Sequence, residues 1–535
     1  MRVNQANFIS NASYRALNSS NKYTDELHQK RIIHIHDNEY TGVTYNCVGL
    51  SLKDKLLDLK MKTELFDIDD ALNYFFETIV FLTNEQSGGI GFINVDEDLK
   101  EFCKNISEND LIKKIRIFFH KLNLPLRNGY EKAYVSFNLG LDTTNEGRKI
   151  IKSFLKAFKY GEIMTGAPFV FPNIIFKVKK GINRDIKDKN FDLFKLATEV
   201  SGIRMNPTYF NCDSTLVNFI EQNKVGIMGC RTLLANNLNG INGAINRGNI
   251  ASISLNLPKI AKNSSNEEEF YKNLEYICNR SKEILLEKYE FLCKLDIEDF
   301  NYLLENKFYE NSIEALEKRA LEEIFKNGTL SIGFIGLFDC ISYLKKEKLT
   351  IDFIDKNIKF ARDILKFIRN LCDKWSKEYK LNFSILASPG EGISGRFAEE
   401  DETKEFYTNS FHVPVYLEID AFKKIEIESN FVEYCNGGSI SYIEFPTPVL
   451  YNNEAVIDVI NYAMEKNIVY LGVNFPLDYC LNCKETGVFS TEKCPKCNSE
   501  NLSRLRRVSG YLSHKSTLKG GKKAEEKMRK SHFKF

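Results

Sequence analysis

The chain predicts an α/β architecture with mostly parallel strands, and two observations carry that reading. Ala251, Ile253, Leu255 and Leu257 alternate with Ser252, Ser254 and Asn256, the period-two pattern of a strand, and Pro258 closes it. Ile332 to Leu337 and Phe383 to Leu386 are short apolar segments, each followed by a turn or polar stretch and then by apolar residues at helical spacing. Strands and helices in alternation build a sheet covered by helices.

Taken in order, residues 1 to 46 are polar and loop-rich, with His34 and His36 alternating with isoleucines in a strand-like way that reads as structural and not as a metal site. Leu50 to Leu57 and Ile68 to Leu82 carry apolar residues at helical spacing. Gln86-Ser-Gly-Gly-Ile-Gly91 ends the second helix, either as a plain stop or as a loop lying against a neighbour. Beyond the 251 to 257 strand, Glu267-Glu-Glu269 opens a long helix, with Ser265 and Glu268 at capping-box spacing and Phe270, Leu274, Ile277, Leu285 and Leu292 along one face. Cys278 and Cys293 on that helix read as small buried hydrophobes. No internal repeat or low-complexity linker interrupts the chain, and composition shifts only after Cys480 and in the lysine-rich stretch from Lys515 to Lys534.

Lys plus Arg number 74 against 72 Asp plus Glu over 535 residues, so no global field favours nucleic acid or an anionic membrane. No basic segment followed by an apolar run opens the chain, and no run approaches the roughly 18 apolar residues of a membrane span. A cytoplasmic protein is the expectation. Thirteen cysteines without an export signal point to reduced thiols, metal ligation or catalysis. Cys480-Leu-Asn-Cys483 and Cys494-Pro-Lys-Cys497, ten residues apart, have the spacing of a tetrahedral zinc site with no open position, hence a structural one. Cys103, Cys212, Cys340, Cys372 and Cys435 lack partners at ligand spacing and read as inert. Cys230, in the glycine-containing stretch Met228-Gly-Cys-Arg231, and Cys47 after Asn46 are each structural or chemical on their own residues. Asn249 precedes the 251 to 257 strand, where a simple Gly-Asn turn is the alternative to a binding role. Ser388-Pro-Gly-Glu-Gly392 follows an apolar strand; it is not a Walker loop, and it reads either as a phosphate cradle or as a strand-to-helix turn.

The cysteine tetrad is followed by Arg506-Arg-Val-Ser-Gly-Tyr-Leu512, and the two signals in this order resemble the anaerobic (class III) ribonucleotide reductases. The likeness covers nearly the whole chain. His34-Ile-His36-Asp37, Asn46-Cys47, Gln86-Ser-Gly-Gly89, Phe171-Pro-Asn-Ile174, Met228-Gly-Cys230-Arg231, Gly248-Asn249, Leu255-Asn-Leu-Pro258, Ser388-Pro-Gly-Glu-Gly392, Gly395-Arg-Phe397 and Thr408-Asn-Ser-Phe-His412 fall in family order. The resemblance implies a ten-stranded α/β barrel over residues 1–475 with a finger loop around Cys230, a zinc-binding knuckle at 476–500, and a glycyl radical loop with its tail at 501–535.

It also implies roles. Gly510 would store the radical, Cys230 would become the thiyl that takes the ribose 3'-hydrogen, and Cys47 would donate a hydrogen at the 2'-carbon. Asn249 would hold substrate hydroxyls, Met228 would mark the subgroup that uses formate as reductant, and Ser388, Gly390, Glu391 and Gly392 would contact substrate phosphate. Implied partners are nucleoside triphosphate substrates and effectors, a second copy of the chain, and an iron-sulfur activating enzyme that uses S-adenosylmethionine; no membrane or nucleic acid is implied. The likeness begins near residue 1, leaving no room for the regulatory ATP-binding domain that opens many relatives, and Ser509 stands where many have cysteine. Other glycyl radical enzymes fit less well, because no Cys-Cys pair occurs and residue 232 is Thr, where a dehydratase would carry Glu. A nucleic-acid-binding zinc ribbon is the alternative from another class, weakened by the neutral charge balance and by Glu525 and Glu526 in the lysine-rich tail.

Overall fold

The computed structural model describes residues 25–37, 44–64, 66–127, 131–390, 392–508 and 510–533. Its main body is a mixed sheet of eleven strands: β1 (Ile33–Ile35), β2 (Cys47–Leu50), β3 (Ile90–Phe92), β4 (Val135–Leu139), β5 (Asn173–Val178), β6 (Thr208–Asn211), then, after a hairpin of β7 (Ile227–Met228) and β8 (Thr232–Leu233), β9 (Arg247–Asn256), β10 (Thr329–Ile335), β11 (Asn382–Ala387), β12 (Ser441–Glu444) and β13 (Tyr470–Asn474). Ten of these strands form one path, β11-β10-β9-β2-β3-β4-β5-β6-β13-β12, and β1 pairs with β9.

Parallel runs dominate, as the alternation of elements predicts. β2 to β6 are parallel, as are β9 with β10 and β11, and β12 with β13. Each parallel step is bridged by a helix, among them Ile68–Glu85, Asn145–Tyr160, Glu267–Cys293 and Ile351–Tyr379. Phenylalanines from helix and strand fill the layer between them, Phe75 against Phe92 at 4.8 Å and Phe92 against Phe137 at 5.5 Å between ring centroids. The runs meet at two antiparallel seams, β2 with β9 and β6 with β13. Strand order reverses at such seams, which is where α/β sheets open crevices for ligands.

Several boundaries differ from the sequence expectation. Residues 47–50 are strand, and the helix expected from Leu50 begins at Lys53, because a four-residue apolar strand runs straight into the helical pattern. Leu257 opens a short helix capped by the Asn256 side chain, with Pro258 in its first turn, so the strand ends one residue early. The long helix is capped by Asn266, whose Oδ1 accepts from Glu269 N at 2.9 Å, while the Glu269 carboxylate accepts from Ser265 N; the capping pair lies one residue later than Ser265 and Glu268.

One irregularity matters for the site. The β9–β10 register slips by a residue between Thr329 and Leu330, so Asn249 opposes Thr329 while Ala251 opposes Leu330. The bulge at Ile250 puts Asn249 on the same face as Ser252 and Ser254. That face, with Thr329, Ser331 and Ser384 of the neighbouring strands, is small and polar, whereas Ile253, Leu255, Ile332 and Ile385 belong to the main apolar core.

A second sheet, β15-β14-β16-β17, comprises β14 (Leu477–Cys480), β15 (Thr486–Gly487), β16 (Leu502–Arg507) and β17 (Leu512–His514). Among the described residues no helix is long and apolar enough to cross a membrane.

Candidate functional site

The hairpin β7–β8 carries Cys230 at its turn, with Gly229 at φ +59°, a left-handed conformation suited to glycine. It has no strand neighbour in the main sheet, and one side chain takes that place. Asn138 of β4 donates through Nδ2 to Ile227 O at 2.9 Å and Phe92 O at 3.0 Å, and accepts from Ile227 N at 2.9 Å. On the far side Leu233 N donates to Gly437 O at 3.0 Å, and buried Arg231 donates to the carbonyls of Ala387 and Ser388, both at 3.3 Å. Asn138→Ala leaves the buried Ile227 N–H without its acceptor and Ile227 O with only the Ser136 hydroxyl at 3.4 Å, and is expected to destabilise the fold by about 2 to 4 kcal/mol. Chemical denaturation of the zinc-loaded protein measures this, and a loss under 1 kcal/mol would show that the hairpin is held otherwise.

Cys47 faces the hairpin. Its Sγ lies 3.2 Å from Asn46 Oδ1 and accepts from Gly89 N at 3.3 Å and from Thr232 Oγ1 at 4.0 Å. Burial, the largest effect, pushes its thiol up to about 12, with Gly89 N–H pulling the other way and neighbouring Cys230 adding to the rise. The sulfur therefore keeps its hydrogen at neutral pH. Gly88 and Gly89 do lie against a neighbour: a Cβ on Gly88 would stand 2.6 Å from Cys47 Sγ, and one on Gly89 2.6 Å from Gly229 Cα. Fully buried Met228 packs with Cys47, Ile93, Leu234 and Ala244, in space that Gly49 and Gly91 leave open. Asn249 is the cross-strand partner of Cys47 at the β2–β9 seam, and its Nδ2 donates to Thr329 Oγ1 at 3.0 Å and Ser331 Oγ at 2.8 Å.

Gly510 sits in the tight connection between β16 and β17, where Arg507 opposes Leu512. Tyr442 donates to Gly510 O at 3.4 Å, Arg529 to Val508 O at 2.8 Å, and Asn474 to Arg507 O at 2.9 Å, so the loop is held from three directions. Tyr511 stacks on Tyr134 at 5.1 Å with rings 9° apart. Its hydroxyl reaches the finger turn: a Cβ on Gly229 would stand 3.2 Å from Tyr511 Oη and 3.3 Å from Cys47 Sγ. The structure thus gathers Cys47, the Cys230 turn, Met228, Asn249 and the Gly510 loop in one region.

The four cysteines at 480, 483, 494 and 497 bring their sulfurs within 4.8 Å of one another, with Cys480 to Cys497 and Cys483 to Cys494 both at 3.5 Å. Tetrahedral zinc with bonds of about 2.3 Å needs sulfurs about 3.8 Å apart, so the donor set fits the ion. Both halves fold alike: Lys484 N donates to Cys480 O and Asn498 N to Cys494 O, each at 2.9 Å, with φ of +65° and +59° at the donor residues. Cys480 ends β14, which pairs along β16 into the glycine loop.

The sequence profile of anaerobic ribonucleoside-triphosphate reductases matches residues 3–532. The chain belongs to this family. It is 28% identical to the anaerobic ribonucleoside-triphosphate reductase of Haemophilus influenzae, covering 95% of this chain and 78% of that one. Among solved structures, the anaerobic ribonucleotide reductase of Thermotoga maritima in complex with dATP and CTP superposes with a TM-score of 0.70 at 17% identity, covering 94% and 85%. A glycyl radical enzyme of Archaeoglobus fulgidus shares the fold at a TM-score of 0.58 and 12% identity, covering 86% and 68%. As a member of the anaerobic ribonucleoside-triphosphate reductases the chain is an oxidoreductase, and a free-standing nucleic-acid zinc ribbon is set aside by the extent of the match.

Within this reductase, Ser388 Oγ shares a hydrogen bond with Ser254 Oγ, and Gly390 lies so close to Asn409 that a Cβ would overlap its Oδ1; Glu391 and Ser509 lie outside the described residues. Cys103, Cys212, Cys278, Cys340, Cys372 and Cys435 are buried, and burial raises each thiol, consistent with inert packing. Sequence reasoning missed Asn138, Tyr442, Tyr511 and Arg529. Asn138 was findable, since Ser136 and Asn138 alternate with Val135, Phe137 and Leu139 in a strand-like run.

Proposed function

We propose that the protein reduces ribonucleoside triphosphates to deoxyribonucleoside triphosphates without oxygen, by glycyl and thiyl radical chemistry. The observation that carries this is the convergence at Gly229, where Cys47 and Tyr511, the neighbour of Gly510, both abut the turn that bears Cys230. A radical stored at the Gly510 α-carbon takes the hydrogen of Cys230 Sγ, and the thiyl takes the substrate 3'-hydrogen. The 2'-hydroxyl leaves as water, and Cys47, kept as a thiol by burial, supplies hydrogen at the 2'-carbon. Asn249 holds the ribose hydroxyls, and Ser388, Gly390, Glu391 and Gly392 serve to bind substrate phosphate. Formate balances the reaction, becoming carbon dioxide as it supplies two electrons. Closure of the ten-strand path into a barrel would keep these radicals from solvent; Gly437 N donating to Ile385 O and Ala387 N to Gly438 O, joining the segment before β12 to β11, support that reading.

We divide the chain into the barrel to residue 475, the knuckle at 476–500 and the radical loop beyond it. A homodimer, effector nucleotides, a radical-generating iron-sulfur partner and a cytoplasmic setting complete the proposal. Electron paramagnetic resonance after anaerobic activation, beside a nucleotide-reduction assay, tests it: no glycyl signal and no deoxynucleotide would overturn it.

Two further outcomes are expected. Cys494→Ser should lower zinc from one ion per chain and abolish radical formation while the main sheet stays folded, because β14 and β16 join the tetrad to the glycine loop. Full radical yield in the zinc-free variant, with metal measured by atomic absorption, contradicts that coupling. Formate should sustain multiple turnovers, since Met228 lies beside Cys47 and, among the described residues, no further cysteine joins them in their apolar cluster. Turnover on a thioredoxin-like reductant, unaffected by formate, would place the protein in the other subgroup.

A further inference from the structure

Glu525 and Glu526, the acidic interruption of the lysine-rich tail, lie on the helix Gly520–Met528 that follows the radical loop, and the reaction scheme uses neither. Glu525 is 2% exposed and is the one buried side chain of that helix. A carboxylate in that position is costly unless it is partnered, and its partners face two ways.

On one side Glu525 accepts from Arg529 at 2.6 Å, and Arg529 donates in turn to Val508 O at 2.8 Å and to the Glu444 carboxylate. Glu526 accepts from Arg506 Nε on β16 at 2.9 Å. Two successive side chains of the helix therefore hold the chain that leads into Gly510, one directly and one through Arg529. On the other side Glu525 Oε2 accepts from Asn409 Nδ2 at 3.1 Å. Asn409 is the residue against which Gly390 rests, whereas Gly392, two positions on, faces open space.

A second contact joins the same two regions. The helix Ile393–Ala398 grows out of the Ser388 to Gly392 loop, with Ser394 N and Oγ donating to Gly390 O at 3.0 and 2.9 Å. It meets the Gly520–Met528 helix glycine to glycine: a Cβ on Gly395 would stand 2.9 Å from Gly521 Cα. Asn409, Glu525, Arg529, Tyr442, Val508 and Arg231, the residue after Cys230, line one cavity of about 30 Å³. Burial first, and then Glu444, push the Glu525 carboxyl up to about 7, while Arg529, Asn409 and Arg231 pull it down. Buried polar contacts of this kind are expensive to leave unmade, so a shift of one partner is followed by the others.

We propose that Glu525 is a positioning residue that couples the Ser388 to Gly392 loop to the Gly510 loop, so that bound substrate docks the stored radical against the finger turn. This rests on the reductase reading above. An anion held by the loop sets Gly390 and Asn409, Asn409 sets Glu525, and Glu525 with Arg529 sets Val508 and the glycine beyond it. Hydrogen then passes from Cys230 Sγ to the Gly510 α-carbon when a nucleotide is present to receive the thiyl, which otherwise has only the protein to attack. The coupling is reciprocal: a docked radical loop tightens the hold on substrate.

Hydrogen–deuterium exchange read by mass spectrometry, on the zinc-loaded, unactivated full chain with and without CTP, tests this. In wild type CTP should slow exchange over residues 388–398 and, by about fivefold or more, over 505–512 and 520–529. Glu525→Gln keeps the shape and an acceptor for Asn409 but loses the charge that holds Arg529, so CTP should still slow 388–398 while its effect on 505–512 falls to about twofold or less. Asn409→Ala cuts the path at its other end and should give the same pattern, and it decides the matter alone if Glu525→Gln does not fold. The double variant should lose no more than either single change, because both break one path. A helix merely loosened by Glu525→Gln exchanges faster with or without CTP and keeps the CTP-dependent ratio; that result overturns the inference. Wild type in which CTP slows 388–398 but leaves 505–512 and 520–529 unchanged also overturns it and leaves the reductase reading standing. CTP that slows exchange nowhere overturns the nucleotide reading and the coupling together.

Discussion

Cys230→Ser is expected to retain the Gly510 radical, the zinc and the folded hairpin, yet to reduce no detectable nucleotide. The substitution is nearly isosteric, and the contacts that shape the turn are made by backbone and by neighbours: Asn138 on Ile227, Gly437 on Leu233, and the positive φ of Gly229. What changes is the bond to hydrogen. A glycyl radical can exchange with an S–H bond of similar strength, whereas an O–H bond is too strong for it to open, so the radical remains where it is stored. Cys47 does not replace the lost thiol, because its sulfur is held by Asn46 Oδ1 and Gly89 N–H. A radical signal at wild-type intensity with no deoxynucleotide product is the expected pair of readings. Product formation above a few per cent of wild type would mean that another residue starts the chemistry.

The residues to which we assign this chemistry were picked out in the sequence because each sits in a short local motif. Cys230 lies between Gly229 and Arg231, Gly510 between Arg507 and Leu512, and the tetrad announces itself by spacing alone. The alternation from Ala251 to Leu257 likewise exposed β9. The groups that hold these residues in place were not legible, because their partners are distant in the chain. Tyr442 reaches Gly510 across 68 positions and Asn138 reaches Ile227 across 89, and no periodicity encodes either. Asn249 was ambiguous for a different reason: strict alternation places it with Ala251 and Ile253, and only the bulge at Ile250 turns it onto the polar face.

Gly510→Ala is expected to remove the stored radical and, with it, the chain cleavage that oxygen causes. A glycine α-carbon radical is planar and shares its spin with the amides on both sides, and in this loop the flanking groups are fixed: Tyr442 bonds the Gly510 carbonyl and Arg529 that of Val508. An added methyl strains that planar centre. It also blocks approach to Cys230, where hydrogen transfer needs near contact of about 3 to 3.5 Å. In the wild type, oxygen adds to the same carbon to give a peroxyl that breaks the backbone, so aerated active protein should release a C-terminal fragment beginning near residue 510. The knuckle and β16 should survive the substitution, because β14 and the zinc ligands hold them independently of the loop tip. Intact-mass spectrometry of activated, aerated wild type and variant makes the comparison: cleavage at this position in folded, zinc-loaded Gly510→Ala would require the radical to reside on a different residue.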